Sequence, residues 1–261
     1  MAAPLRLLTI GFSHYCEKAR WALDLAGLDY VERDHMPIFH YAPNLLAGAA
    51  RTVPALLTPR GVLRDSTAIV RFADEHLAPE RRLFPPDPAL LAEVTRLVER
   101  FDAVLGPSAR RAAYFLLFAD PAASGRVLTS TGPGWERRLG RLAGPLLRRL
   151  MTRGLKLYPE PSARAKTRTE AIFAEVGELL ADGRRYLVGA RFSAADLTFA
   201  ALAAPVVFPP QYGFPVSDAV LPGPARAWVE QMRATPAGRF ALRLYAEERP
   251  PVRAQGRSDM S

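Results

Sequence analysis

Residues 5–12 (LRLLTIGF) are a short apolar run, the pattern of a buried strand. From about Tyr15 to Ala26 the period becomes helical. Ala19, Ala22, Leu23 and Ala26 share one face, and Gly27 comes next as a natural C-cap. Residues 29–35 alternate and predict a second strand. Residues 37–52 show no period and contain Pro37, Pro43 and Gly48, so they read as an irregular link. Residues 53–57 predict a third strand, Gly61 a turn and 62–65 a fourth strand. Ser66 starts a helix running to about His76, with Ile69, Val70, Phe72 and Ala73 inward. The order is β-α-β, a link, then β-β-α.

The rest of the chain has only helical periods and loops. A proline-rich stretch at 83–88 reads as a linker between a first domain, 1–82, and an all-helical one, 89–249. Helices are predicted at 89–105, 108–118, 136–156 with a break near Gly144-Pro145, 162–182, 193–208, 222–234 and 236–247. Residues 250–261 read as a disordered tail. Ser193 and Asp196 have the spacing of a capping box, flanked by Phe192 and Leu197.

Composition narrows the class. The chain has 261 residues, 49% of them hydrophobic, which suffices for one large or two ordinary cores. Its single cysteine, Cys16, excludes an intramolecular disulfide, and no cysteine cluster can hold zinc. The N-terminus lacks the charged region and cleavage site of a secretory signal. The longest apolar stretch, Leu197 to Phe208, is too short for a bilayer and reads as a buried helix ending near Pro205. A soluble cytoplasmic protein without a metal is expected.

The net charge of +9 is unevenly spread. Residues 1–80 carry eight basic and nine acidic side chains, whereas 135–168 carry ten basic ones against Glu136 and Glu160. This is not the uniform basicity of a nucleic-acid binder, so no nucleic-acid partner is expected. From Trp135, the residues Leu139, Leu142, Leu146, Leu147, Leu150 and Met151 recur at helical spacing, with Arg137, Arg138, Arg141, Arg148 and Arg149 elsewhere on the helix. The favoured reading packs the leucines on the core and leaves the arginines in water. A membrane-surface or acidic-partner role for 135–156 is the competing one.

Four motifs then point to a family. Gly11 to Arg20 (GFSHYCEKAR) resembles the first strand-to-helix turn of the glutathione S-transferase superfamily. Val53-Pro54 resembles its cis-proline turn, Asp65-Ser66-Thr67-Ala68-Ile69 its acidic-Ser-x-x-Ile motif, and Ser193 to Asp196 its helical-domain capping box. The resemblance implies a thioredoxin-like domain and then a helical bundle, with a basic insertion at about 120–160. With Ser13 at the turn and no tyrosine in 5–12, it is to a serine-type or atypical class.

The site residues that the resemblance implies also have simpler readings. Ser13 would donate to a glutathione sulfur and stabilise thiolate over thiol, or it merely caps its helix. Cys16 would be the nucleophile of a monothiol oxidoreductase, or a packed core residue. The backbone at Val53 and Pro54 would pair with glutathione as a short strand, or the proline simply opens an edge strand. Asp65 and Ser66 would hold the γ-glutamyl end, and they also read as a helix cap. Arg51 and His40 are both candidates for the glycine carboxylate. Tyr15, Arg111 and Tyr114 are candidates for the electrophile side. The function implied is a homodimeric glutathione transferase acting on a small hydrophobic electrophile. Its alternatives are a non-catalytic module of that fold and the Cys16 oxidoreductase.

Overall fold

The central strand β1 (Leu5–Thr9) has a partner on each side. It pairs in parallel with β2 (Tyr30–Asp34) and antiparallel with β3 (Ala55–Thr58), and β3 pairs antiparallel with β4 (Gly61–Leu63). The sheet order is β2-β1-β3-β4. A parallel neighbour requires a crossover, and α1 (His14–Leu25) supplies it. The computed structural model describes residues 4–213 and 221–252. The expected disordered tail therefore falls largely outside the described residues.

The predicted strands and first two helices form within a few residues of their expected bounds, with α3 at Ser66–Asp74. The link holds a short helix that the hydrophobic period does not reveal, Tyr41–Leu46 (α2). Its six residues are too few to show a period. Leu83 is buried and its backbone is held at both ends: its N–H donates to Asp74, and its carbonyl accepts from Ala194 at 2.9 Å.

The remaining elements are α4 (Pro88–Arg100), α5 (Gly106–Phe118), α6 (Pro121–Leu128), α7 (Gly134–Leu142), α8 (Gly144–Gly154), α9 (Pro159–Leu179), α10 (Ala194–Val207), α11 (Gly223–Arg233) and α12 (Pro236–Glu248). One boundary differs from expectation. The helices expected at 89–105 and 108–118 are continuous through a π-helical turn, Phe101–Leu105. Pro107 brings no N–H to the helix, and the wider turn accommodates it. α10 ends as expected, two residues beyond Pro205 at Val207, and Phe208 closes it with a left-handed backbone at φ 39°. The hydrophobic period does not reveal α6 either, a short helix capped by Asp120, whose carboxylate accepts from Ala122 and Ala123 N–H.

One hydrophobic cluster joins the sheet to the helices. Leu7, Trp21, Leu56 and Ile69 belong to it together with Leu97, Phe101, Phe199 and Leu244. At its centre α10 is buried along its whole length, so hydrophobic residues surround its axis on every side. The capping box forms as expected: Asp196 Oδ2 accepts from Ser193 N–H at 2.9 Å. Its other oxygen accepts from Leu187 N–H at 2.8 Å, and burial raises the carboxyl to about 6.

α1 is buried on both faces, between the sheet layer and α10, and not on the alanine-leucine face alone. Its second face carries charge. Arg20 Nε and Nη2 reach Glu32 Oε1 at 2.9 and 2.6 Å, and Arg249 joins Glu17 and Asp24 at 2.8 Å each. Fully buried ions persist only when paired in this way.

His14, the first residue of α1, donates from Nε2 to Gly106 O at 3.0 Å, since a carbonyl can only accept. Burial lowers its pKa to about 3. In the unfolded chain it takes a proton near its ordinary 6.5. Folding stability therefore falls as pH drops through the window from 6.5 towards 3. His14→Gln keeps a donor for Gly106 but removes the titration. Urea unfolding at about pH 7 and pH 5 is expected to show the parent losing stability relative to this variant. A difference independent of pH would refute the assignment.

Candidate functional site

The turn between β1 and α1 ends in Ser13, which has an extended backbone and makes no capping bond through its side chain. The simplest reading of this serine, a helix cap, is thus not what the side chain does. As the N-cap residue, Ser13 stands at the mouth of α1, where N–H groups of the first turn and the helix dipole favour negative charge. Beside it opens a cleft of about 780 Å³ between the sheet edge and the helices.

The sheet side of the cleft gathers Ser13, Val53, Pro54, Asp65 and Ser66. The Val53-Pro54 peptide bond is cis. Asp65 is the N-cap of α3, and its Oδ1 accepts from Thr67 N–H at 2.8 Å and Ala68 N–H at 3.1 Å. These bonds use the N–H groups of the second and third helical residues, so the Ser66 N–H and hydroxyl stay available at the helix mouth.

His40 and Arg51 both border the cleft but differ in what they can do. His40 Nε2 donates to Arg51 O at 3.0 Å, and burial lowers its pKa, which keeps it neutral. It positions the loop. Arg51 is exposed and Arg64 lines the cleft beside it, its Nε donating to Gly48 O at 3.0 Å, so the guanidinium of Arg51 is the freer cation at this end.

The helical side is formed by Tyr15, Asp102, Arg110 and Tyr114, with Leu150 and Leu155 from the basic segment. Tyr15 Oη donates to Asp102 O at 2.8 Å. Gly106 allows this approach, because a Cβ there would sit 2.2 Å from Tyr15 Oη. Lys18 Nζ reaches both Asp102 oxygens, at 2.8 and 2.7 Å, and Thr67 Oγ1 at 2.6 Å. This triad ties α1, α3 and the π-turn into one wall. Tyr114 packs against Phe118 and Phe12, and burial pushes its hydroxyl pKa up.

The basic segment closes one end of the cleft and is docked on both sides. Glu136 accepts from Met36 N–H at 2.7 Å and pairs with His35 at 2.7 Å. Arg111 Nε donates to Leu155 O at 3.0 Å. On α8, Leu147 and Met151 pack on a second core with Phe12 and Met36.

Residues 7–81 match the family model of the glutathione S-transferase N-terminal domain. The chain superposes on a glutathione S-transferase of Ceriporiopsis subvermispora in complex with glutathione, with a TM-score of 0.63. The first domain matches the glutathione S-transferase N-terminal domain, and the chain has the glutathione S-transferase fold. That fungal protein is 18% identical, and the match covers 95% of this chain and 98% of the other. A glutathione S-transferase from Xanthobacter autotrophicus has 22% identity and a TM-score of 0.51, over 89% of this chain and 94% of the other. Ure2p5 from Phanerochaete chrysosporium, cocrystallised with 1-(S-glutathionyl)-2,4-dinitrobenzene, has 19% identity and a TM-score of 0.55, over 95% and 96%. No curated protein matches the chain.

Within this transferase fold, the structure brings Ser13, His40, Arg51, Val53, Pro54, Asp65 and Ser66 to one cleft, with Tyr15 and Tyr114 facing them. Two candidates lie outside it. Cys16 has no exposed surface, and burial pushes its thiol up to about 11. It is a neutral core thiol beside Ser13, without the thiolate that disulfide exchange requires. Arg111 is turned toward α8, and its neighbour Arg110 faces the cleft in its place. Adjacent helix positions point about 100° apart, so a boundary error of one residue exchanges the two. Asp102, in the π-turn, has no sequence signal that marks it.

Proposed function

We propose that the protein binds glutathione in this cleft and promotes attack of its thiolate on a small hydrophobic electrophile. The observation that carries the reading is Ser13, which lines the cleft at a helix N-terminus and whose hydroxyl makes no capping bond, its side-chain neighbour being the Cys16 thiol. A hydroxyl donating to glutathione sulfur favours the thiolate over the thiol, as does the dipole of α1. Arg110 adds positive potential from the helical side.

Glutathione would lie along the sheet edge. Its cysteinyl backbone pairs with the Val53 main chain ahead of β3. Its γ-glutamyl carboxylate takes the Ser66 N–H and hydroxyl, and the free Asp65 oxygen takes the ammonium. Arg51 receives the glycine carboxylate. The electrophile then sits against Phe12, Tyr114 and Leu150. Sulfur forms a bond to its reactive carbon, and the displaced electron pair leaves with the departing group. Holding both reactants in one cleft contributes proximity.

Millimolar glutathione is expected to raise the melting temperature of the full chain, and Arg51→Ala and Ser66→Ala to reduce that shift. Turnover with an activated aryl halide then separates an enzyme from a binding module: stabilisation without turnover leaves binding alone. No stabilisation at all would sink the proposal. A homodimer, implied by the resemblance, is part of this reading. Among the described residues no helix is long and apolar enough to cross a membrane.

A further inference from the structure

The leucines of the basic segment do not all face the core, contrary to the favoured sequence reading. Leu147 and Met151 are buried, but Trp135, Leu139, Leu142, Leu146 and Leu150 are exposed, Leu142 by 82%. Leu142, Leu146 and Leu150 recur at four-residue intervals across the α7–α8 junction. As exposed apolar side chains at the end of α7 and along α8 they form the ridge of this segment, and Leu150 also lines the cleft.

Several exposed arginines of the helical surface have carboxylate partners: Arg96 with Glu93, Arg100 with Glu175, Arg164 with Glu160, and Arg184 with Asp182. Others, such as Arg126 and Arg168, are exposed with no ion pair among the described residues but stand apart from one another in the sequence, whereas those of α7 and α8 are grouped. Arg138, Arg141, Arg149 and Arg153 are exposed beside the ridge, and no ion pair involves them among the described residues. The segment's two carboxylates are engaged elsewhere, Glu136 inward on His35 and Met36, and Glu160 on Arg164.

We propose that α7 and α8 dock on an anionic phospholipid bilayer. Exposed leucines with a tryptophan suit shallow insertion, and unneutralised arginines suit the headgroup charge. A second copy of this chain suits the ridge poorly, because a symmetric contact would set the arginines against each other. Docking here would place the cleft mouth at the membrane surface. The further step, that a lipophilic electrophile enters from the bilayer, rests on the proposed transferase function; the docking itself does not.

The test is flotation of the full chain with vesicles of phosphatidylcholine, with and without phosphatidylglycerol, and no glutathione present. Binding to the anionic vesicles is expected, weakening with salt. The pair Leu142→Ser and Leu146→Ser is expected to lower partition by at least about tenfold. The pair Arg141→Glu and Arg149→Glu should do the same, and Arg184→Glu should not. Circular dichroism checks that each variant folds. No partition onto anionic vesicles, or equal partition by parent and both pairs, would overturn the proposal. So would a change of sedimenting mass in the leucine pair with vesicle binding intact, because another copy would then be what covers the ridge. Failure of glutathione to stabilise the protein would leave this result standing, so the two readings fail separately.

Discussion

Ser13→Ala is expected to lower kcat/KM for glutathione conjugation by roughly 100- to 1000-fold, the usual loss when one donor to a developing or bound anion is removed. The affinity for glutathione should change little. Its carboxylates, ammonium and backbone are assigned to Arg51, Ser66, Asp65 and Val53, and none of these depends on the serine hydroxyl. The stronger readout is the thiol itself. If Ser13 stabilises thiolate, the pH–rate profile of the variant shifts toward higher pH, towards the pKa of free glutathione. Ser13→Thr retains the hydroxyl and should recover much of the activity. The Cys16→Ala variant provides the contrast. That thiol is buried, and its pKa is pushed up to about 11, so its loss should alter packing and leave the profile in place. A normal profile in Ser13→Ala, or loss of the profile in Cys16→Ala, would exchange the two roles.

Arg249→Ala is expected to destabilise the fold by about 3–5 kcal/mol, a large share of a typical domain's stability. Its guanidinium bonds Glu17 and Asp24 at 2.8 Å, with both carboxylates fully buried on α1, and lies over the Trp21 ring. Removing it leaves two buried carboxylates short of their cation. Glu17 would retain Arg20 at 3.5 Å and Gly213 N–H at 3.3 Å, both long contacts. Adding Asp24→Asn to the variant should return part of the loss, because one uncompensated charge disappears. Urea unfolding of the single and double variants measures this coupling. Arg239→Ala, on the exposed surface of α12, should stay within about 0.5 kcal/mol of the parent. A comparable effect in both arginine variants would refute the buried network.

The two predictions concern residues that are unequally legible. Ser13 can be singled out because a hydroxyl between an apolar run and a helix has few readings. Only the structure excludes capping, by showing the side chain without a capping bond. Arg249 carries no signal, since in the sequence it is only the last residue before an expected disordered tail. Its partners lie 232 and 225 positions away. No local pattern reports a contact of that separation. The same applies to Asp102, placed against Lys18 and Thr67 by the way the helices cross the sheet.

The sequence by itself determined the order of the four strands and of the longer helices, the capping box at Ser193 and Asp196, and the four motifs that resemble the glutathione S-transferase superfamily. Each depends on neighbours within about one helical turn or one strand, where period and backbone preference act directly. Tertiary structure alone decided which charges on α1 are buried in pairs, that Arg110 and not Arg111 faces the cleft, and that the leucines of α7 and α8 divide between core and solvent. Those outcomes depend on which surface a helix meets. A helical period says that a face exists; only packing against α5, α6 and the segments that follow β1 and β2 decides how much of that face is covered.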